Sequence, residues 1–120
     1  MQIAKRNDWK AEPMPSVFTN IMLEKVYSQQ QFERIAAGII PQQMEDKWFV
    51  FYEAPWLYLH RSWTGLCIFQ VRFEVVGENV KIAEVQVNRD PTQYSNMDYT
   101  NDTSMLEILL DSLLQKRLRY

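Results

Sequence analysis

Apolar and polar residues change period along this chain, and the change divides it. Between residues 47 and 88 the period is two. Trp48, Val50 and Tyr52 alternate with Phe49 and Phe51, and Trp56, Tyr58 and His60 with Leu57 and Leu59. Cys67, Phe69, Val71, Phe73 and Val75 oppose Ile68, Gln70, Arg72 and Glu74; Ala83, Val85 and Val87 oppose Ile82, Glu84 and Gln86. Alternation of this kind predicts strands whose successive side chains point to opposite sides. Ala54-Pro55, Ser62-Trp63-Thr64-Gly65 and Gly77-Glu78-Asn79 supply the turns. Links this short make neighbouring strands antiparallel.

Outside this block the spacing is helical. Val17, Phe18, Ile21, Met22 and Val26 predict a short helix over residues 17–26. Ser28 with Gln31 forms a capping box ahead of the stripe Phe32, Ile35, Ala36 and Ile39. Gly38 weakens the end of that helix and Pro41 stops it. Ser104 with Glu107 reads as a second capping box, followed by Leu106, Leu109, Leu110, Leu113 and Leu114. Lys116, Arg117 and Arg119 then suit the negative end of the helix dipole. Residues 1–16 are irregular around Pro13 and Pro15, with Trp9 as the anchor of the arm. Residues 90–100 form a polar loop long enough to carry function. The expected fold is α+β: one domain over 1–120, a four-stranded antiparallel meander with two or three helices on one face.

Parity predicts two unlike sheet faces. One collects Phe49, Phe51, Leu57, Leu59, Cys67, Phe69, Val71, Phe73, Ala83, Val85 and Val87. It is uncharged, and it is the expected core beneath the helices. The other collects Trp48, Val50, Tyr52, Trp56, Tyr58, His60, Ile68, Gln70, Arg72, Ile82, Glu84 and Gln86. Aromatic platforms among Arg, His, Gln and Glu suit a ligand groove or a protein interface. The competing reading folds the N-terminal arm and the 90–100 loop, with Trp9, Tyr94 and Tyr99, over this face as a second, partly polar core.

Composition removes several function classes. Thirteen basic against fifteen acidic residues leave a net charge of −2, which argues against a protein that binds nucleic acid by broad phosphate neutralisation. A single cysteine, Cys67, excludes an internal disulfide, and its apolar neighbours predict a buried, inert thiol. One cysteine and one histidine are too few for an ordinary zinc site. The first residues lack the apolar run of a signal peptide, and no apolar stretch reaches membrane length. The expected setting is cytoplasmic, without a membrane or a cofactor.

Chemistry concentrates between residues 48 and 72. His60 is the only residue whose unperturbed pKa lies near neutrality, and Glu53 or Glu84 could orient it as a base; a satisfied structural histidine is the competing reading. Arg61 with Ser62, Thr64 and the amides of the 62–65 turn could hold a phosphate or carboxylate. Against that stands a turn stapled by its own hydroxyls, with Arg61 paired to an acid such as Glu53. Glu45, Asp46, Asp98 and Asp102 read as solvated loops and caps. No Walker loop, dinucleotide fingerprint or H-E-x-x-H motif occurs.

Trp48-Phe49-Val50-Phe51-Tyr52-Glu53 followed by Leu57-Tyr58-Leu59-His60-Arg61-Ser62-Trp63-Thr64-Gly65 resembles a family of small, uncharacterised bacterial proteins. Its members carry a W-F-x-x-Y-E … L-Y-x-H-R-S-W-T-G core. Similar segments accompany ADP-ribosylglycohydrolase-type domains. Such members place a D-G style turn after the glutamate, where this chain has Ala54-Pro55. The resemblance implies a ligand combining phosphate with an aromatic base.

The expected function is a non-enzymatic ligand-binding or accessory module. Its site is drawn from Trp48, Tyr52, Tyr58, His60, Arg61, Ser62, Trp63, Thr64 and Arg72, and its ligand is a small anion or nucleotide-like molecule. Two alternatives stand beside it. One is a small hydrolase or transferase using His60 with a carboxylate. The other is a protein-interaction or immunity-type protein, or a homodimer, pairing through the aromatic face.

Overall fold

A computed structural model describes residues 2–95 and 99–115. Among these residues the chain forms an α+β fold with six strands and two helices: β1 (Phe18–Ile21), β2 (Val26–Ser28), α1 (Gln29–Ala36), β3 (Trp48–Glu53), β4 (Trp56–Arg61), β5 (Cys67–Val76), β6 (Asn79–Asn88) and α2 (Tyr99–Gln115). All the strand pairings are antiparallel, in the order β1-β6-β5-β4-β3, with β2 also on the outer edge of β6.

The four-strand meander is present as β3 to β6, but the sheet is wider than expected. Residues 17–26 do not form a helix. Their apolar spacing also serves two short strands joined by a link: Ile21 pairs with Val85 and Tyr27 with Val80, and both are buried. α1 has the expected capping box, with Ser28 Oγ accepting from the Gln31 amide and Gln31 reaching back to the Ser28 amide. It ends at Ala36 because Gly38 takes φ +69° and turns the chain into a bridge between Ile39 and Val50. A Cβ on Gly38 would lie 2.0 Å from the Val50 carbonyl oxygen. α2 begins at Tyr99, not at Ser104, which is an interior, exposed helix residue. Lys116, Arg117 and Arg119, and Asp98, lie outside the described residues.

Both helices lie on one face of the sheet. Ile35, Leu106, Leu110 and Leu113 pack there against Val50, Leu57, Leu59, Phe69, Val71, Phe73, Val85 and Val87. Each such side chain contributes roughly 1.5–3 kcal/mol on burial.

The phase of β3 corrects the expected faces. A two-residue link joins Glu53 to Trp56, so partners across it have opposite parity: Phe49 faces His60 and Phe51 faces Tyr58. Trp48, Val50 and Tyr52 therefore pack on the helix side, while Phe49 and Phe51 form a second core with Ala4 beneath the arm. Two bulges make further changes. Ile68 is the extra residue where Leu59 pairs with Phe69 and His60 with Cys67, and it is buried with the helix-side core. Ala83 is the extra residue between the Arg72–Glu84 and Phe73–Ile82 pairs, so Ile82 takes the core position expected of Ala83.

Candidate functional site

The N-terminal arm covers the face that parity left open. The amide of Ala4 donates to the Ala37 carbonyl at 2.8 Å, Trp9 Nε1 to the Ser62 carbonyl at 2.6 Å, and the amide of Glu12 to the Gly65 carbonyl at 2.8 Å. Trp9 thus anchors the arm to the turn after β4. Gly65 has φ +80°, and a Cβ there would sit 2.7 Å from the Cβ of Lys10, so only glycine admits the arm this closely. The described part of the 90–100 loop goes to the other side, where Tyr94 packs against the helix-side core.

His60 lies under this cover, 1% exposed and stacked on Phe51 at 5.4 Å between ring centroids. Its Nδ1 is 2.8 Å from the Gly65 carbonyl. Burial holds its pKa below the ordinary value by disfavouring the charged ring. Neither expected carboxylate orients it. Glu53 is bound by Arg6 at 2.7 Å, which also holds its carboxyl below the usual range, and Glu84 is bound by Arg72 at 3.2 Å. Arg6 also lies 4.9 Å from the Phe51 ring centroid and 5.1 Å from that of Tyr58. Arg6 drew no notice in the sequence because nothing local links it to residues almost fifty positions away. Cys67 is fully buried, and desolvation pushes its thiol up to about 12, as expected of an inert structural residue.

The 62–65 turn uses most of its polar groups internally. Ser62 donates from its amide to the Lys47 carbonyl and from Oγ to the Asp46 carbonyl. Gly65 donates to the Arg61 carbonyl, and Thr64 Oγ1 accepts from the Leu66 amide. Trp63 stays 58% exposed, with its Nε1 donating to the Met44 carbonyl.

The nine expected site residues therefore separate. Tyr58, His60 and Arg72 belong to the arm side of the sheet, and Trp48, Tyr52 and Arg61 to the helix side. Ser62, Trp63 and Thr64 stand at the end where the two sides meet. Tyr52 packs edge-on to Phe32 at 5.2 Å, and burial raises its pKa.

One cleft reunites three of them. Arg61, Trp63 and Thr64 line a cavity of about 420 Å³ together with Lys47, Gln93 and Tyr94. Arg61 lies over the Trp48 ring with Cζ 5.1 Å from the centroid, and Lys47 Nζ lies 4.1 Å from the centroid of Trp63. Neither cation meets a carboxylate among the described residues, and no acidic side chain lines the cleft. Sequence reasoning found Arg61 and missed Lys47; its basic character beside Trp48 was the available signal.

The described residues hold no group of three metal-binding side chains, and no described helix is long and apolar enough to cross a membrane. No protein-family model, curated protein or solved structure gave a match to this chain.

Proposed function

We propose that this protein is a non-enzymatic binding module for a small anionic, nucleotide-like ligand, held in the cleft at the end of β4. One observation carries the reading: Lys47 and Arg61, each resting on a tryptophan ring, line the same cleft with no carboxylate partner among the described residues. Two cations side by side repel unless an anion joins them, and a guanidinium meets phosphate or carboxylate with a planar pair of donors. Stacking on tryptophan orients both groups before any ligand arrives. Exposed Trp63 offers flat aromatic area beside them. A cleft of this size falls within the range of small-molecule sites. The test is a thermal-shift screen with nucleotides, ADP-ribose and sugar phosphates. A ligand selective for the folded state raises the melting temperature, and no rise with any of these compounds removes the reading.

The hydrolase alternative gains no support from His60, which neither Glu53 nor Glu84 orients. A protein partner is the second reading, but through a different surface from the expected aromatic face. Phe18 on β1, the neighbouring Val17 and Met22, and Val26 on β2 are exposed along one edge of the sheet. Short edge strands with apolar side chains invite pairing. Light scattering that shows a monomer at every concentration would rule out self-association.

A further inference from the structure

Trp63 borders a second cavity that the anion cleft does not use. This groove, of about 440 Å³, lies between the N-terminal arm and residues 41–44, and Trp9, Lys10, Pro41, Gln43, Met44 and Trp63 are among its walls. Ser62 lines the groove, Thr64 lines the anion cleft, and Trp63 between them lines both. The two cavities therefore meet at one ring, and a single ligand can reach both.

Both tryptophans are exposed. Their N–H groups are already engaged, Trp9 with the Ser62 carbonyl and Trp63 with the Met44 carbonyl. These bonds hold the two rings in place, so the groove offers flat apolar surface that is ordered before a ligand arrives. Pro41 extends that surface, and so does the exposed Met44, whose thioether suits contact with aromatic rings. The exposed Gln43 adds a carboxamide, which both donates and accepts. Lys10 Nζ donates to the Trp63 carbonyl, and no carboxylate lines the groove among the described residues. Such walls suit a planar ring.

We propose that this groove is the base subsite of the ligand whose phosphate enters the anion cleft, and that the ligand is a nucleoside phosphate. The inference rests on the anion-binding reading of that cleft. The phosphate meets Lys47 and Arg61, the sugar passes beside Trp63, and the base packs on the indoles of Trp9 and Trp63 with its edge toward Gln43. Stacking on aromatic side chains accepts any base, because every base has a flat face. A side-chain carboxamide pairs with base edges.

AMP and ribose 5-phosphate share the phosphate and the sugar and differ by the base. The full chain is titrated with each at low ionic strength by calorimetry, and the indole N–H signals of Trp9 and Trp63 are followed by nuclear magnetic resonance. AMP should bind about tenfold or more tighter than ribose 5-phosphate. It should shift both indole signals, whereas ribose 5-phosphate should leave that of Trp9 in place. Trp9→Leu should bring the ratio of the two affinities close to unity. The double variant Gln43→Ala, Met44→Ser, at two exposed positions, should lower the same ratio and serves if Trp9→Leu loosens the arm. Equal affinities for the two compounds, or a preference for AMP that survives both variants, overturn the groove as base subsite and leave the anion cleft standing. Binding of neither compound removes the reading of the cleft, and this inference with it.

Discussion

His60 and Gly65 are joined by a 2.8 Å hydrogen bond from the imidazole Nδ1 to the backbone carbonyl, and the same carbonyl accepts the amide of Glu12. One oxygen thus ties β4, the 62–65 turn and the N-terminal arm together. Gly65→Ala should disturb all three. The backbone sits at φ +80°, and the new methyl would crowd Lys10. A left-handed alanine costs about 1–2 kcal/mol before the clash is counted. Urea unfolding should show a loss of about 2 kcal/mol or more, with faster proteolysis within residues 2–16. An alanine variant as stable as the wild type would show that the arm is not held at this point.

Stability should also depend on pH through His60. Its folded pKa lies below the ordinary 6.5 because burial disfavours the charged ring. The unfolded chain therefore takes up a proton first as the pH falls, while the folded chain stays neutral. Stability is intact above about 6.5 and declines as the pH drops from there toward the lowered folded value. The carboxyls of Glu53 and Asp90, held below their usual range by Arg6 and Thr92 respectively, lose their contribution only at lower pH. Melting temperatures of the wild type and His60→Phe, compared across pH, should diverge in the histidine window. Parallel curves would contradict a buried neutral imidazole.

Asp102 is fully buried on α2 and accepts from the Arg89 guanidinium and, at 2.9 Å, from the Tyr94 hydroxyl. It is not the solvated cap its sequence context suggests. Removing one partner of a buried pair leaves an uncompensated charge and typically costs about 3–5 kcal/mol. Asp102→Ala should lose stability on that scale, and adding Arg89→Met should recover part of it. Denaturant unfolding of the two variants checks this; an unperturbed single variant would mean that the pair is not desolvated.

The sheet interior was legible because alternation survives in any half-buried strand: β3 to β6 and the Ser28 cap fall where the residues indicate. What failed did so for physical reasons. Val17, Phe18, Ile21, Met22 and Val26 fit a helix as well as two short strands, and only pairing with β6 decides between them. Parity within β3 was visible, but its phase relative to β4 depended on the two-residue link, which sends Phe49 to His60. Bulges at Ile68 and Ala83 leave no local signature. For the same reasons the expected site divided between two sheet sides. Its Arg61-Trp63-Thr64 part came together, while Arg6 and Lys47 entered through contacts remote in sequence.

The anion cleft is tested most directly by nuclear magnetic resonance at low ionic strength, following the Trp63 indole N–H and the Thr64 amide during titration with ADP-ribose and with inorganic phosphate. The account predicts saturable shifts with at least one of them, weakened by added salt because exposed charges are screened, and abolished in the Lys47→Ala, Arg61→Ala double variant. Titrations that leave both signals in place, or shifts that persist undiminished in the double variant, would contradict it.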